Sequence, residues 1–369
     1  MTARFALVLA CGFATSLTYA APARADDLER IRVSSDNRGF VLADSGRKFV
    51  PWGFNYDHDE RGRLIEDYWL DEWDKIVQDF GEMRDLGANV VRIHLQLAKF
   101  MKSAEEADLL ALQRLQKLLE LAEQTRLYLD LTGLGCYHKK DVPEWYDKLG
   151  EEDRWNVQQR FWEAVAGLCK TSPAVFCYDL MNEPVVPGGN EPARDWLGPP
   201  FAGKHFVQFI ALARGDRPRP QIACAWIAQL ATAIRKIDPQ RLITVGLVDW
   251  SLDRPGLTSG FIPDTIAGEL DFLCVHLYPK KGKLDEALET LEGFSIGKPV
   301  VIEETFNLGT TAMELGEFID RSTKFASGWI GFYWGKTLEE CKSSNEIGDA
   351  LTREWLELFV RKGPVMRDP

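Results

Sequence analysis

Positive charge is in short supply: 44 Lys and Arg stand against 56 Asp and Glu, giving a net charge of −12 and a pI near 5.1. Such a chain repels nucleic acid and anionic lipid surfaces, so neither is expected as a partner. Beyond the N-terminus, no apolar run reaches the roughly 20 residues of a membrane-spanning helix. Cysteine is also sparse, with 7 in all, and shows neither C-x-x-C pairs nor the spacing of a disulfide framework. Cys177 and Cys274 sit inside apolar runs and read as buried thiols. No internal repeat or low-complexity linker divides the chain. No Gly-rich phosphate loop follows the first strand, which removes the usual mark of a nucleotide-binding open sheet. Paired histidines on that strand, the signature of a metal-dependent barrel hydrolase, are missing too; it offers only "NYDHD", with His58.

What the N-terminus does have is an address. Arg4 precedes "FALVLACGFATSL", and "APARA" follows, with Ala23-x-Ala25 as a small-residue cleavage pattern. Residues 1–25 are expected to be a signal peptide cut after Ala25. Residues 26–369 would form one domain, secreted or periplasmic and free of the membrane after the cut. A lipoprotein site at Cys11 in "VLAC" is the weaker reading, because it leaves almost no apolar core before the cut.

Short apolar runs then alternate with stretches of helical period. The strand candidates are residues 49–56, 89–95, 127–132, 175–183, 242–248, 272–278, 299–306 and 328–334. Helical patterns lie between them, such as "ADLLALQRLQKLLELAEQT" and "CAWIAQLATAIRKID". Strands apolar on both faces, separated by helices, imply a parallel sheet covered on its outside. Eight such units point to a (β/α)8 TIM barrel, with a doubly wound open sheet as the runner-up. One connection stands out: residues 185–221, rich in Pro and Gly, form a long loop after the fourth strand. "FVQFIAL" and Trp196 within it favour a packed lid over a disordered segment.

In a barrel, reactive groups gather at the C-terminal ends of the strands. Side chains of one parity near those ends are Arg92, His94 and Gln96 on the second strand, and His276 and Tyr278 on the sixth. The fourth ends in Asn182–Glu183, the seventh in Glu303–Glu304 and the eighth in Trp334. Each has an ordinary structural explanation: Arg92 as a buried ion pair with either Glu303 or Glu304, His94 as a satisfied core histidine, Trp334 as core. Carboxylates at buried strand ends are harder to explain that way, since desolvating an unpaired one costs roughly several kcal/mol. A pair of them across a cleft is the arrangement that glycoside cleavage needs.

These motifs resemble glycoside hydrolase family 5, the cellulase and β-mannanase group of (β/α)8 enzymes. "MRDLGANVVRIH", "YDLMNEP", "VHLYP", "KPVVIEETF" and "GFYWG" each resemble a strand end of that family, in order along most of the chain. The resemblance implies Glu183 as acid/base and Glu304, rather than Glu303, as nucleophile of a retaining double displacement. Asn182 would hold the sugar 2-hydroxyl, His276 would stand beside the acid/base, Tyr278 and Arg92 would attend the nucleophile, and Trp334 would be a sugar platform. Two departures are visible: Thr132 stands where the family usually has histidine, with His138 nearby to reach back, and Thr305–Phe306 replaces the glycine after the seventh strand.

The expected function is therefore a retaining hydrolase of β-1,4-linked glucosides or mannosides, acting on an oligo- or polysaccharide without metal or cofactor. The loop after the fourth strand would favour exo-cleavage of short oligosaccharides if it walls off one end of the site. Trp52, Trp145, Trp196, Trp250, His94 and His138 are further candidates to meet the substrate. A non-catalytic carbohydrate-binding barrel would require one of the glutamates to be lost, and both are present. Asp57, His58 and Asp59 either bind a terminal sugar or cap a loop.

Overall fold

Each apolar run of the sequence becomes one wall strand. A computed structural model describes residues 28–189 and 191–367; the expected signal peptide lies outside them. The wall strands are β1 (Trp52–Asn55), β2 (Val90–Gln96), β3 (Tyr128–Gly135), β4 (Val175–Asn182), β5 (Leu242–Val248), β6 (Leu273–His276), β7 (Val300–Glu304) and β8 (Gly328–Phe332). Every neighbouring pair is parallel, and β8 returns to β1 through Trp329↔Trp52 and Phe332↔Asn55. The sheet is thus a closed (β/α)8 barrel and not an open doubly wound sheet.

Helices Trp73–Asp85, Leu109–Thr125, Glu151–Cys169, Arg219–Ile237, Leu284–Glu292, Ala312–Ser322 and Ile347–Arg367 lie between or after the strands. Between β5 and β6 the α-helix shrinks to a single turn, Pro263–Ile266. Local chemistry sets the helix ends. Asp108, for example, caps Leu109–Thr125 by accepting hydrogen bonds from the amides of Leu110 and Ala111, satisfying donors the helix cannot. Among the described residues no helix is long and apolar enough to cross a membrane.

Alternation along each strand sorts side chains between two environments. Trp52 and Phe54 of β1 face outward, where their rings stack on Phe359 of the last helix at 4.7 and 4.0 Å between centroids. Asn55, of the other parity, turns inward. The barrel interior is polar: Asn55, Arg92, Asp130, Asp179 and Glu303 are all fully buried there.

The floor of the barrel is closed by a small antiparallel sheet, Ile31–Val33, Phe40–Leu42 and Lys48–Phe49. Phe40 meets Phe176 and Phe272 edge-on at 5.2 and 5.1 Å, and Phe49 meets Tyr128 at 5.1 Å. This sheet takes Phe49 away from the expected first strand, residues 49–56. Cys177 and Cys274 are buried in the same apolar layer, and all six cysteines among the described residues are unpaired.

The described residues of the long connection after β4 are ordered, as its apolar content suggested. Its residues 197–208 form a β-hairpin: Leu197 bridges Gln208, the Gly198 amide donates to the Val207 carbonyl at 2.8 Å, and Phe201 and Lys204 exchange both backbone bonds. The His205 amide donates to the Tyr137 carbonyl at 2.9 Å, tying the hairpin to the loop after β3. Nζ of Lys204 lies 3.3 Å from where a Cβ on Gly62 would stand, so the hairpin also reaches the loop after β1.

Candidate active site

A cleft of about 440 Å³ opens over the C-terminal ends of the strands, with Glu183 and Glu304 among its lining residues. Glu183 follows the last residue of β4 and has φ of 47°, a left-handed conformation that a non-glycine residue adopts at a cost. Glu183 lines the cleft at this turn, while the Asn182 side chain stays buried, accepting from Arg92 and donating to the Phe206 carbonyl. The Glu183 amide is fixed by donating to the Gly246 carbonyl at 2.9 Å.

Arg92, fully buried on β2, organises what lies beneath. One guanidinium nitrogen donates to Glu304 at 2.7 Å and to Asn55 at 2.9 Å; the other donates to Asp179 at 2.8 Å and Asn182 at 3.0 Å. Glu303 lies 3.4 Å from the same guanidinium. Glu304 also accepts a 2.6 Å hydrogen bond from the Tyr278 hydroxyl. The side chain of Glu304 is 12% exposed towards the cleft, whereas that of Glu303 is sealed in the interior. This resolves the ambiguity between adjacent glutamates: only Glu304 reaches the opening.

His276 bridges the pair. Its Nδ1 is 2.9 Å from Glu183 and 3.5 Å from Glu304, and its Nε2 is 3.2 Å from Glu303. An oxygen of Glu183 and one of Glu304 lie within 4.8 Å of each other. Burial alone would lower the imidazole pKa, but Glu304, Glu183 and Glu303 outweigh it and raise the value from 6.5 to about 10. His276 is therefore a cation at neutral pH. Because its folded pKa is raised, the stability it contributes is fully present below pH 6.5 and is lost as pH rises towards 10. The thermal midpoint should accordingly fall between about pH 6.5 and 10 and fall less steeply in His276→Gln, measured by calorimetry across pH.

Deeper still, Asp130, Asp179 and Glu303 bring carboxyl oxygens within 4.8 Å of one another. Burial, with Glu303 and Asp179 adjacent, pushes Asp130 well above the usual carboxylate range. Burial also raises Glu303, but Arg92 and His276 reverse the sign and hold it down at about 2. Burial and the neighbouring Glu303 raise Asp179 as well, to about 6. This trio and the Glu183–His276–Glu304 group are each compact enough for a metal ion. In the first, however, the Arg92 guanidinium already supplies the cation, and in the second His276 is itself positive.

The other candidates divide. Trp334 lines the cleft, with its indole nitrogen donating to Asp57 at 3.1 Å and its ring parallel to His58 at 5.6 Å. Asp57 and His58 therefore belong to the cleft, while Asp59 caps its own loop by accepting from the Arg61 and Arg63 amides and the Arg63 guanidinium. Trp52 does not meet substrate: its parity puts it outside the wall, fully buried beneath the last helix. His94 is 3% exposed, bonded to the Tyr137 hydroxyl and to Asn55 at 3.3 Å, and kept neutral by burial and the charge of Arg92. It is a core histidine. His138 does not reach back to replace the missing histidine; it lines a separate small crevice with Leu64, Gln96 and Cys136. Thr132 instead donates to Asp179 at 2.7 Å. Trp196 is buried against Arg154, and Trp250 borders another surface hollow.

Five positions of the candidate site escaped the sequence reading. Asn55, Asp130 and Asp179 are polar residues inside apolar strand runs, and their inward parity was the available signal. Phe201 and Lys204 line the cleft from the hairpin, which no strand pattern could place.

The profile described as cellulase (glycosyl hydrolase family 5) matches residues 53–311. No curated protein matches the chain. Among solved structures, the exo-β-1,4-mannosidase Op5Man5 from Opitutaceae bacterium strain TAV5 is similar at 17% identity with a TM-score of 0.64. The match covers 91% of this chain but only 62% of that one. A β-1,4-mannanase from the sea hare Aplysia kurodai matches at 16% identity and a TM-score of 0.62, over 90% of this chain and 96% of its own. The endo-1,4-β-mannanase from Rhizomucor miehei gives 18% and 0.61, over 89% and 99%. At these identities the likeness is one of fold.

Proposed function

The chain belongs to glycosyl hydrolase family 5, and from that premise we propose that this glycosidase is a secreted, retaining enzyme cleaving β-1,4-linked glucosides or mannosides. The observation that carries the retaining mechanism is the spacing of Glu183 and Glu304, whose nearest oxygens are within 4.8 Å. Retaining enzymes hold their carboxyls about 5–5.5 Å apart, whereas inverting ones need roughly 6.5–9.5 Å to admit a water.

In the first step Glu304 attacks the anomeric carbon as Glu183 gives its proton to the departing oxygen, so the glycosidic C–O bond breaks and a glycosyl ester forms. In the second, Glu183 takes a proton from water, whose oxygen attacks the same carbon and frees Glu304. Two inversions leave the configuration unchanged. Asn182, held by Arg92, would meet the sugar 2-hydroxyl, and Trp334 would support the ring face. The mannose-active proteins that share the fold lend weight to mannosides. Exo-cleavage is the second reading for the mode of attack, favoured by the hairpin that reaches from β4 to the loops after β1 and β3.

Glu183→Gln tests the acid/base role. For alkyl or sugar leaving groups, which need protonation, kcat/KM should fall about 10²–10⁴-fold. For a dinitrophenyl leaving group, which departs as a stable anion, the glycosylation step should fall far less. Undiminished activity, or equal losses with both leaving groups, would remove Glu183 from this role.

A further inference from the structure

We propose that the cleft beside the glutamate pair accepts a β-glycoside whose leaving group is apolar, an alkyl or aryl aglycone, in preference to a second sugar. This rests on the glycosidase reading above, keeps its glycone, and narrows what is attached to it. The cleft is chemically divided. Its ionisable or polar groups include Asp57, Glu183 and Glu304, and the Asp57 carboxylate is tied to the Trp334 indole. His58, Lys204 and Tyr278 add further polar atoms, and six apolar side chains make up much of the rest of the wall: Pro199, Phe201, Phe206 and Val207 of the hairpin and Phe306 and Leu308 after β7. None of these six side chains can donate or accept a hydrogen bond. An aromatic ring can stack on the face of a sugar, but the equatorial hydroxyls of that sugar still need partners. Against Val207, Pro199 and Leu308 they would be desolvated without replacement. An alkyl chain or aryl ring loses nothing there and gains apolar burial.

A second observation points the same way. Phe201 is 65% exposed and Leu308 62% exposed at this cleft, an arrangement water disfavours. Yet Phe201 is not at the end of a loose segment. Ala202 and Gly203 both have positive φ, 47° and 79°, and the Phe201 and Lys204 amides each donate to the other's carbonyl, at 2.8 and 2.9 Å. That is a two-residue primed turn, with alanine in a conformation that favours glycine. The chain accepts backbone strain to hold a phenyl ring in solvent at the edge of the site. A wall that gains its cover when substrate arrives explains why.

The test uses S-linked methyl and octyl β-glucosides and β-mannosides, which bind without being hydrolysed, so the result does not depend on the double-displacement mechanism. Failure of that mechanism would appear separately, in the leaving-group dependence of Glu183→Gln. Calorimetric titration of the full mature chain, below the micellar concentration of the octyl compound, should give octyl binding at least about 10-fold tighter than methyl for one of the two sugars, since each buried methylene contributes about 3–4-fold. Phe201→Ser and Leu308→Ser, both at exposed positions, should pull that ratio towards unity. A ratio below about 10-fold for both sugars in the native chain overturns the proposal. So does a large ratio that neither substitution changes, or tighter binding of the corresponding S-linked disaccharide than of the octyl glycoside.

Discussion

Glu304→Gln should reduce kcat by about 10⁵-fold or more, the scale on which removal of a covalent nucleophile is felt. On the proposed double displacement, glutamine keeps the shape and can still accept from Arg92, but its amide nitrogen cannot accept from the Tyr278 hydroxyl and it cannot form the glycosyl ester. The neighbouring Glu303→Gln serves as the internal control. Glu303 is walled off from the cleft and lies against Arg92 and His276, so its loss should disturb stability and the charge of His276 rather than abolish the reaction. A 2-deoxy-2-fluoro glycoside should add its mass to the native chain on a peptide containing Glu304 and leave the Glu304→Gln chain unlabelled. Labelling at Glu303, or comparable kcat losses in both variants, would reverse the assignment.

Arg92→Met should destabilise the fold by about 3–5 kcal/mol, the usual consequence of stripping one partner from a buried ionic cluster. The guanidinium has no exposure and faces Asp179, Glu303 and Glu304 at 2.8, 3.4 and 2.7 Å. Without it three carboxyls share one interior with only His276 to offset them. Denaturant unfolding should show a lower midpoint with an unchanged slope, because the surface exposed on unfolding is the same. The deficit should shrink at acid pH, where protonation relieves the surviving carboxylates. A loss below about 1 kcal/mol would mean that the cluster neutralises itself by other means.

The barrel was legible because its signal is redundant. Eight apolar runs lie within a few residues of the eight wall strands; of the side chains named at their ends Glu183, Tyr278, Glu304 and Trp334 line one opening, with Arg92, Asn182 and His276 linked to them from beneath. Where the reading failed, a single physical cause can be named. Trp52 was placed at the mouth because it is a tryptophan in the first strand, but the parity that turns Asn55 inward turns Trp52 outward against Phe359. The floor sheet went unseen because strands of two or three residues carry no alternation. The positive φ at Glu183 cannot be read from sequence at all; it belongs to a glutamate held by its surroundings. The hairpin at residues 197–208 was recognised as a packed segment, yet which of its side chains meet the cleft depends on where the loops after β1 and β3 catch it.

The floor sheet has a consequence for traffic rather than for stability. With Phe40 and Phe49 set into the layer of Phe176, Phe272 and Tyr128, the lower mouth is stoppered, and helices close the sides. The barrel is a cup with one rim. Asp130, Asp179 and Glu303 are sealed between that stopper and the rim, and the open end is the one where Glu183 and Glu304 line the cleft.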